Sequence, residues 1–369
     1  MKIQNLQRDL NKKIELSTEF VKSLHQDDYE FLPLHEGATE AGKRLKLGFS
    51  CYGLKYYYIT GLWDQLDKQS KNQWAGKLNS YQKNHSGFPQ NSYIDLNYLK
   101  YLNKFNYEQY IKKQVKKFLT ATGIKQSDSH KVFESKSINA ETKQAISTLF
   151  QVNFKNTKTV EPEFNSTEVI EYLDSLDWSR PWASGAQFSS LCVFAATQET
   201  YDVKLLKNFS NDLVNSESGF YFKSKPKDKR ELFNGAMKVI SGLDWLKHEI
   251  HYPKKIIDFC LENTPIYEGC DVVDFIYILY KCMHSVDHRR KEVIELLYDL
   301  SQKMNILFTE KDGGYSYFEN KSQTHYYGVR ISNGLNVSDL HATLLCTWGN
   351  VMILDILGEV GENYKTIKP

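Results

Sequence analysis

Asp271 and Asp274 stand three residues apart at the head of an apolar run, a spacing that sets two carboxylates on one face of a helix start. Such a pair could hold a divalent metal or share a proton-transfer task, and the same spacing also serves ordinary N-terminal capping. Asp339 heads a second apolar run and reads equally as a cap or as a working carboxylate. His341, two positions on, is harder to explain as a cap. An imidazole with a reference pKa of about 6.5 is suited to general acid or base chemistry, and a satisfied core histidine is the plainer alternative. Before that run lies Gln323-Thr324-His325-Tyr326-Tyr327-Gly328-Val329-Arg330, which sets a base, two phenols and a guanidinium within eight positions of one connector. Long connectors are often binding loops. His325 and Tyr326 beside a neutralising Arg330 could abstract the proton next to a uronate carboxylate and protonate the leaving oxygen, with Tyr327 and Arg330 holding the substrate. A solvent-facing aromatic cap is the alternative. His284 and His288, spaced i and i+4, could hold a metal if their helix continued through both. No phosphate loop, dinucleotide fingerprint, Gly-x-Ser-x-Gly elbow or Cys-x-x-Cys pair occurs, so the sequence names no cofactor, and a divalent metal is the one candidate.

These residues need elements to bring them together, and helices dominate. Prolines number 8, and long segments place apolar residues three and four apart. Two kinds of helix alternate. Ser166 to Leu176, Val203 to Leu213 and Arg290 to Met304 are amphipathic with one wet face; Ala183 to Ala196, Phe233 to Leu246, Asp271 to Met283 and Asp339 to Leu357 are apolar nearly all round and belong inside. A less regular version runs from Phe49 through the amphipathic segment Tyr107 to Leu119. Pairs of this kind predict an all-α domain, an α/α toroid of about six hairpins over residues 49–369, after a helical extension over residues 1–48. Parallel inner helices would gather their N-terminal ends at one mouth, bringing Arg180, Trp182 and Gln187, Asn234, Asp271 and Asp274, and Asp339 and His341 into one neighbourhood. Helix N-termini there favour an anionic ligand.

Turns of one type follow several amphipathic segments: Ser86-Gly87-Phe88-Pro89, Ser218-Gly219-Phe220-Tyr221 and Asp312-Gly313-Gly314-Tyr315. Their separations approach multiples of about 45 residues, the length of a helical-pair repeat. The pattern Trp74-Ala75-Gly76 through Gln82 to Gly87-Phe88 resembles the repeat of the terpenoid cyclase and protein prenyltransferase toroid superfamily. The stretches Arg180-Pro181-Trp182-Ala183-Ser184-Gly185, Phe233-Asn234-Gly235-Ala236-Met237-Lys238, Gly269-Cys270-Asp271-Val272-Val273-Asp274 and Ser338-Asp339-Leu340-His341 resemble a cyclase-like branch of it. The resemblance implies the toroid and an isoprenoid or prenyl-diphosphate substrate. The Asp-x-Asp-Asp proton donor of the superfamily's class II terpene cyclases is absent, and Cys270, Asp271 and His341 do not follow the prenyltransferase zinc order.

Basic and acidic residues, 47 and 45, are mixed along the chain, so no face for nucleic acid is expected. No membrane span is expected either, and six scattered cysteines read as reduced thiols of a cytoplasmic protein. Three functions remain: an enzyme on a small anionic or oligosaccharide substrate, with carbohydrate chemistry of lyase or hydrolase type first; a prenyl-type enzyme; and a binding scaffold without catalysis.

Overall fold

The computed structural model describes residues 2–104, 130–165, 167–361 and 363–369. The expected amphipathic segment Tyr107 to Leu119 lies outside the described residues. The remainder is mostly helical, and the helices begin where the sequence offers caps. Asp202, Asp228 and Asp339 accept hydrogen bonds from Lys204, Glu231 and Ala342 N–H, and Pro181 sits at the first helical position of its own helix.

Among the described residues six helices carry the interior: α3 (Leu47–Ile59), α7 (His130–Gln151), α9 (Pro181–Gln198), α11 (Lys229–Trp245), α13 (Asp271–Ser285) and α15 (Leu340–Leu357). Each packs on the next in this order, and α15 packs again on α3, so the circuit of contacts closes on itself. The N-terminal ends of neighbours meet, as where Trp182 N–H donates to Glu231 and Arg230 pairs with Asp271. Their C-terminal ends meet separately, through Lys281 with Asp244 and Tyr280 with Asp355. These helices therefore run in one direction. Residues 363–369 lie across the C-terminal ends: Lys365 N–H donates to Ile59 O, Lys368 N–H to the Gln151 side chain, and Trp245 Nε1 to Pro369 O.

Amphipathic helices cover the circuit from outside. α1 (Lys2–Leu24) packs on α15, α5 (Lys68–Asn79) on α3, α8 (Glu168–Ser175) and α10 (Val203–Leu213) on α9, α12 (Pro253–Glu262) on α13, and α14 (Arg290–Met304) on α13 and α15. The segment before residue 49 shares the core with the rest. Leu6, Leu10, Ile14, Val21 and Leu24 form a buried stripe along α1, in one cluster that continues to Ile367. α1 falls within the helical extension expected over residues 1–48, whereas the sequence periodicity gave α12 no separate place. The three glycine turns all carry positive φ, +95° at Gly87, +81° at Gly219 and +78° at Gly313, and each is closed by a short antiparallel pairing. α15 is the one helix among the described residues long and apolar enough to cross a membrane, and 78% of it is buried against its neighbours.

α9 and α11 approach most closely because glycines face each other. A methyl group at Gly235 would lie 2.8 Å from the backbone carbon of Pro181, whereas one at the exposed helical Gly76 would meet nothing. Gly235→Ala should therefore destabilise by about 1–3 kcal/mol. Gly76→Ala should stabilise by about 0.5–1 kcal/mol. Denaturant midpoints of the two variants check both signs.

Candidate active site

Asp271, the first residue of α13, is buried and accepts both Nε and Nη2 of Arg230 at 2.8 Å and Nδ2 of Asn234 at 2.5 Å. The guanidinium also lies over the Trp182 ring, 5.0 Å from its centroid. Trp182, Asn234 and Asp271, all read from the sequence as mouth residues, thus belong to one network. Arg230, which ties them together, was not foreseen. With its oxygens committed, Asp271 is built to position its neighbours. Asp274, one turn further, is different. It is buried, its Oδ2 has no hydrogen-bond partner, and burial pushes its carboxyl up to about 7 against the pull of Lys238.

At the head of α15, Asp339 is a fully used cap. Its oxygens accept the backbone N–H of Ala342, Tyr317 and Gln323, while burial raises its carboxyl to about 6. His341 stacks flat on Tyr52, with centroids 4.5 Å apart and planes at 2°, and Tyr317 lies 5.4 Å away. Its Nδ1 has no partner, and burial with the charges of Lys238 and Lys55 drives its pKa to about 3. The near-neutral titration expected of a free imidazole is thereby lost. A neutral ring held between two phenols can accept or donate a hydrogen bond but cannot serve as an acid at pH 7.

The 323–330 connector divides. Its ends pair as a hairpin, His325 with Arg330 and Tyr326 with Val329, and the strand alternation sends neighbours to opposite sides. Tyr326 points in, donating its hydroxyl at 3.0 Å to the buried Glu141, whose carboxyl burial holds well above the usual range. Tyr327 packs beside it with rings 4.7 Å apart. His325 and Arg330 point out and are exposed, the guanidinium donating to Ser332 O and Asn333. The expected trio of base, phenol and neutralising arginine is therefore split across a strand. Arg180 is exposed at the cap of α9, and Gln187 accepts from the Tyr172 hydroxyl at 3.1 Å in a separate shallow cleft that it lines with Phe164, Phe194 and Tyr201. α13 ends at Ser285, so His284 and His288 do not share a face and instead approach different carboxylates, Asp355 and Asp258. Among the described residues no group of three His, Cys, Asp or Glu side chains has the arrangement of a metal site.

The decisive side chains are three lysines that motif reading passed over. Lys55 of α3 is only 7% exposed, and Lys143 of α7 and Lys238 of α11 are half-buried between buried neighbours. None has a hydrogen-bond or carboxylate partner among the described residues. α3 and α11 are not neighbours in the circuit, yet Lys238 acts electrostatically on Lys55, Lys143, His341 and Asp274. Burial and this repulsion lower Lys55 to about 8 and Lys143 well below the usual amine range. Further polar atoms without partners come from α7, α11, α13 and α15: Glu141 Oε2, Asn234 Oδ1, Tyr277 hydroxyl and Trp348 Nε1. Helical spacing aligns them: Asn234 with Lys238, Tyr52 with Lys55, and Asp271 with Asp274 and Tyr277. A signal was present in the sequence, since Lys55 and Lys238 each fall within a helical run that is apolar nearly all round.

A folded-state carboxyl raised from 3.8 to about 7 contributes stability at low pH that is lost as pH climbs from about 4 through 7. Asp274→Asn, which keeps the neutral shape, should abolish that decline. The wild-type-minus-variant unfolding free energy should therefore fall by a few kcal/mol, order of magnitude, across the window. Chemical denaturation at stepped pH measures it.

No family model, no curated protein and no solved structure matches this chain, so its function rests on the site itself.

Proposed function

We propose that this chain is an α/α-toroid enzyme whose enclosed space binds an anionic substrate and carries out acid–base chemistry on it, with an acidic sugar as the substrate class. The observation that supports this reading is the mutual electrostatic action of Lys55, Lys143 and Lys238, none of which has a hydrogen-bond or ion-pair partner among the described residues, together with the buried Asp274 carboxyl on which Lys238 acts. Buried ammonium groups that repel one another are unfavourable unless a ligand brings the opposite charge. The closed circuit of six helices, its common direction and the outer helices around it support the toroid of about six hairpins. The tail at the C-terminal ends leaves the opposite mouth, where the helix N-termini lie, as the entrance. In this reading Lys238 and Lys55 hold the anionic group, Trp182 and Tyr52 stack against the sugar ring, and Asp274, near half-ionised at neutral pH, moves the proton. The Tyr326–Glu141 pair supplies a second, neutral acid. Six free cysteines fit a reducing, cytoplasmic setting.

The layered rings of Tyr52, His341 and Tyr317 favour a second reading, an isoprenoid chain with its diphosphate on the lysines. A scaffold that only binds would keep the anion and lose turnover.

Thermal unfolding with galacturonate oligosaccharides, glucuronate and prenyl diphosphates distinguishes these readings, together with the ultraviolet absorbance of an unsaturated uronate product. The sugar acids should raise the midpoint and give product, and Asp274→Asn should remove turnover while preserving binding. Lys238→Met should stabilise the unliganded protein by roughly 1–3 kcal/mol and abolish the ligand effect. A wild type that no anion stabilises, with a destabilised Lys238→Met, would overturn the proposal.

A further inference from the structure

A second polar cluster stands on the outside of the circuit, where the end of α10, the glycine turn after it and the connector between α11 and α12 meet. His248 N–H donates to Leu243 O at 2.9 Å, and Lys247 and Tyr252 take positive φ of +52° and +48°, so the connector bends at both ends of the segment from His248 to His251. The bend returns both imidazoles to α10. His251 Nε2 lies 2.8 Å and His248 Nε2 3.2 Å from one atom, Asn211 Oδ1. The two ring centres are 5.5 Å apart with planes at 73°. Behind His251, the hydroxyl of the buried Tyr221 lies 3.3 Å from Nδ1.

These separations are those of donors around one small cation. Zinc-class ions bind imidazole nitrogen and oxygen at about 2.0–2.2 Å, which sets adjacent donor atoms about 2.8–3.4 Å apart and the centres of two Nε2-bound imidazoles about 5 Å apart. A cation that displaces the two Nε2 protons therefore fits with small ring movements. His251 then carries its proton on Nδ1 and donates it to the Tyr221 hydroxyl, the outer hydrogen bond that fixes the tautomer and orientation of a metal-bound histidine. Asn211 is exposed and both rings are half-buried, which leaves an entry path from solvent. Burial lowers the pKa of both rings, so they are neutral donors at pH 7; of the charges acting on His248, Lys207 disfavours a cation and Glu249 favours one. Two imidazoles with one amide oxygen select zinc, nickel or copper over calcium or magnesium.

We propose that His248, His251 and Asn211 form a binding site for one divalent transition-metal ion of the zinc, nickel and copper class, which clips the α11–α12 connector to the end of α10. The inference is independent of the anionic-substrate reading, because these residues lie on the outer layer and not among the three lysines.

The test is calorimetric titration of the full chain, free of any histidine tag, with nickel(II), joined by electron paramagnetic resonance of the copper(II)-loaded protein. The expected result is one ion per chain, a copper signal split by two nitrogens, and a raised thermal midpoint. His248→Ala and His251→Ala should each weaken nickel binding at least about tenfold, Tyr221→Phe about tenfold through the lost outer hydrogen bond, and Asn211→Asp should tighten it. Nickel should also protect His248 and His251 from diethyl pyrocarbonate more than any other histidine, a wild-type measurement that decides even if a variant fails to fold. Absence of binding, binding that survives both histidine variants, or equal modification of His248 and His251 with and without nickel would overturn the proposal.

Discussion

Mutual repulsion among Lys55, Lys143 and Lys238 is the constraint around which the interior is arranged. Three amines from three helices act on one another electrostatically, none has a hydrogen-bond or ion-pair partner among the described residues, and the carboxyl that Lys238 acts on is the buried Asp274. A fold can hold such a group only with surplus stability elsewhere. Here that surplus comes from long helices buried on nearly every face, continuous with the stripe of α1 and the tail near Ile367. The lysines in turn explain their neighbours. They hold His341 neutral, they pull the Asp274 carboxyl toward ionisation against its burial, and they leave polar atoms of four surrounding helices turned inward without partners. Interiors built for stability alone rarely leave so many buried polar groups unmatched; functional sites do.

A second tier of residues keeps that arrangement fixed. Arg230 and Asn234 clamp Asp271 at the mouth, so α11 and α13 cannot slide past one another without breaking charge-assisted hydrogen bonds. Asp339 gathers backbone N–H groups from its own helix and from the loop above it, fixing Tyr317 over His341. Glycines set the spacing between α9 and α11, and the same closeness keeps Lys238 beside the wall formed by Gly185. These side chains sit on helices, and the caps and ion pairs at the helix N-terminal ends fix their positions.

How much of this the sequence discloses differs by level. Interior helices are visible because Ala183 to Ala196 and Asp339 to Leu357 lack a wet face, and outer ones because Val203 to Leu213 and Arg290 to Met304 have a single apolar stripe. Capping chemistry is visible too, which is why Asp339 could be read both ways and turns out to be a cap. The hairpin of His325 and Arg330 was misleading, since nearness in sequence says nothing about which side of a two-residue strand faces in. The lysines were hidden for the opposite reason. They are far apart in sequence, and Lys143 lies in a helix with enough polar residues to pass for solvent-facing, so only the closing of the circuit reveals that they meet. Arg230 likewise gains meaning only once Asp271 is beside it.

The most direct test of this account is a crystal structure of the protein grown with selenate, whose anomalous scattering locates it without ambiguity. The account predicts an oxyanion inside the circuit within hydrogen-bonding reach of Lys238 and at least one of Lys55 and Lys143, with His341 and Asp274 nearby. Lysine side chains that instead swing out to solvent or pair with carboxylates, with no anion between them, would contradict it.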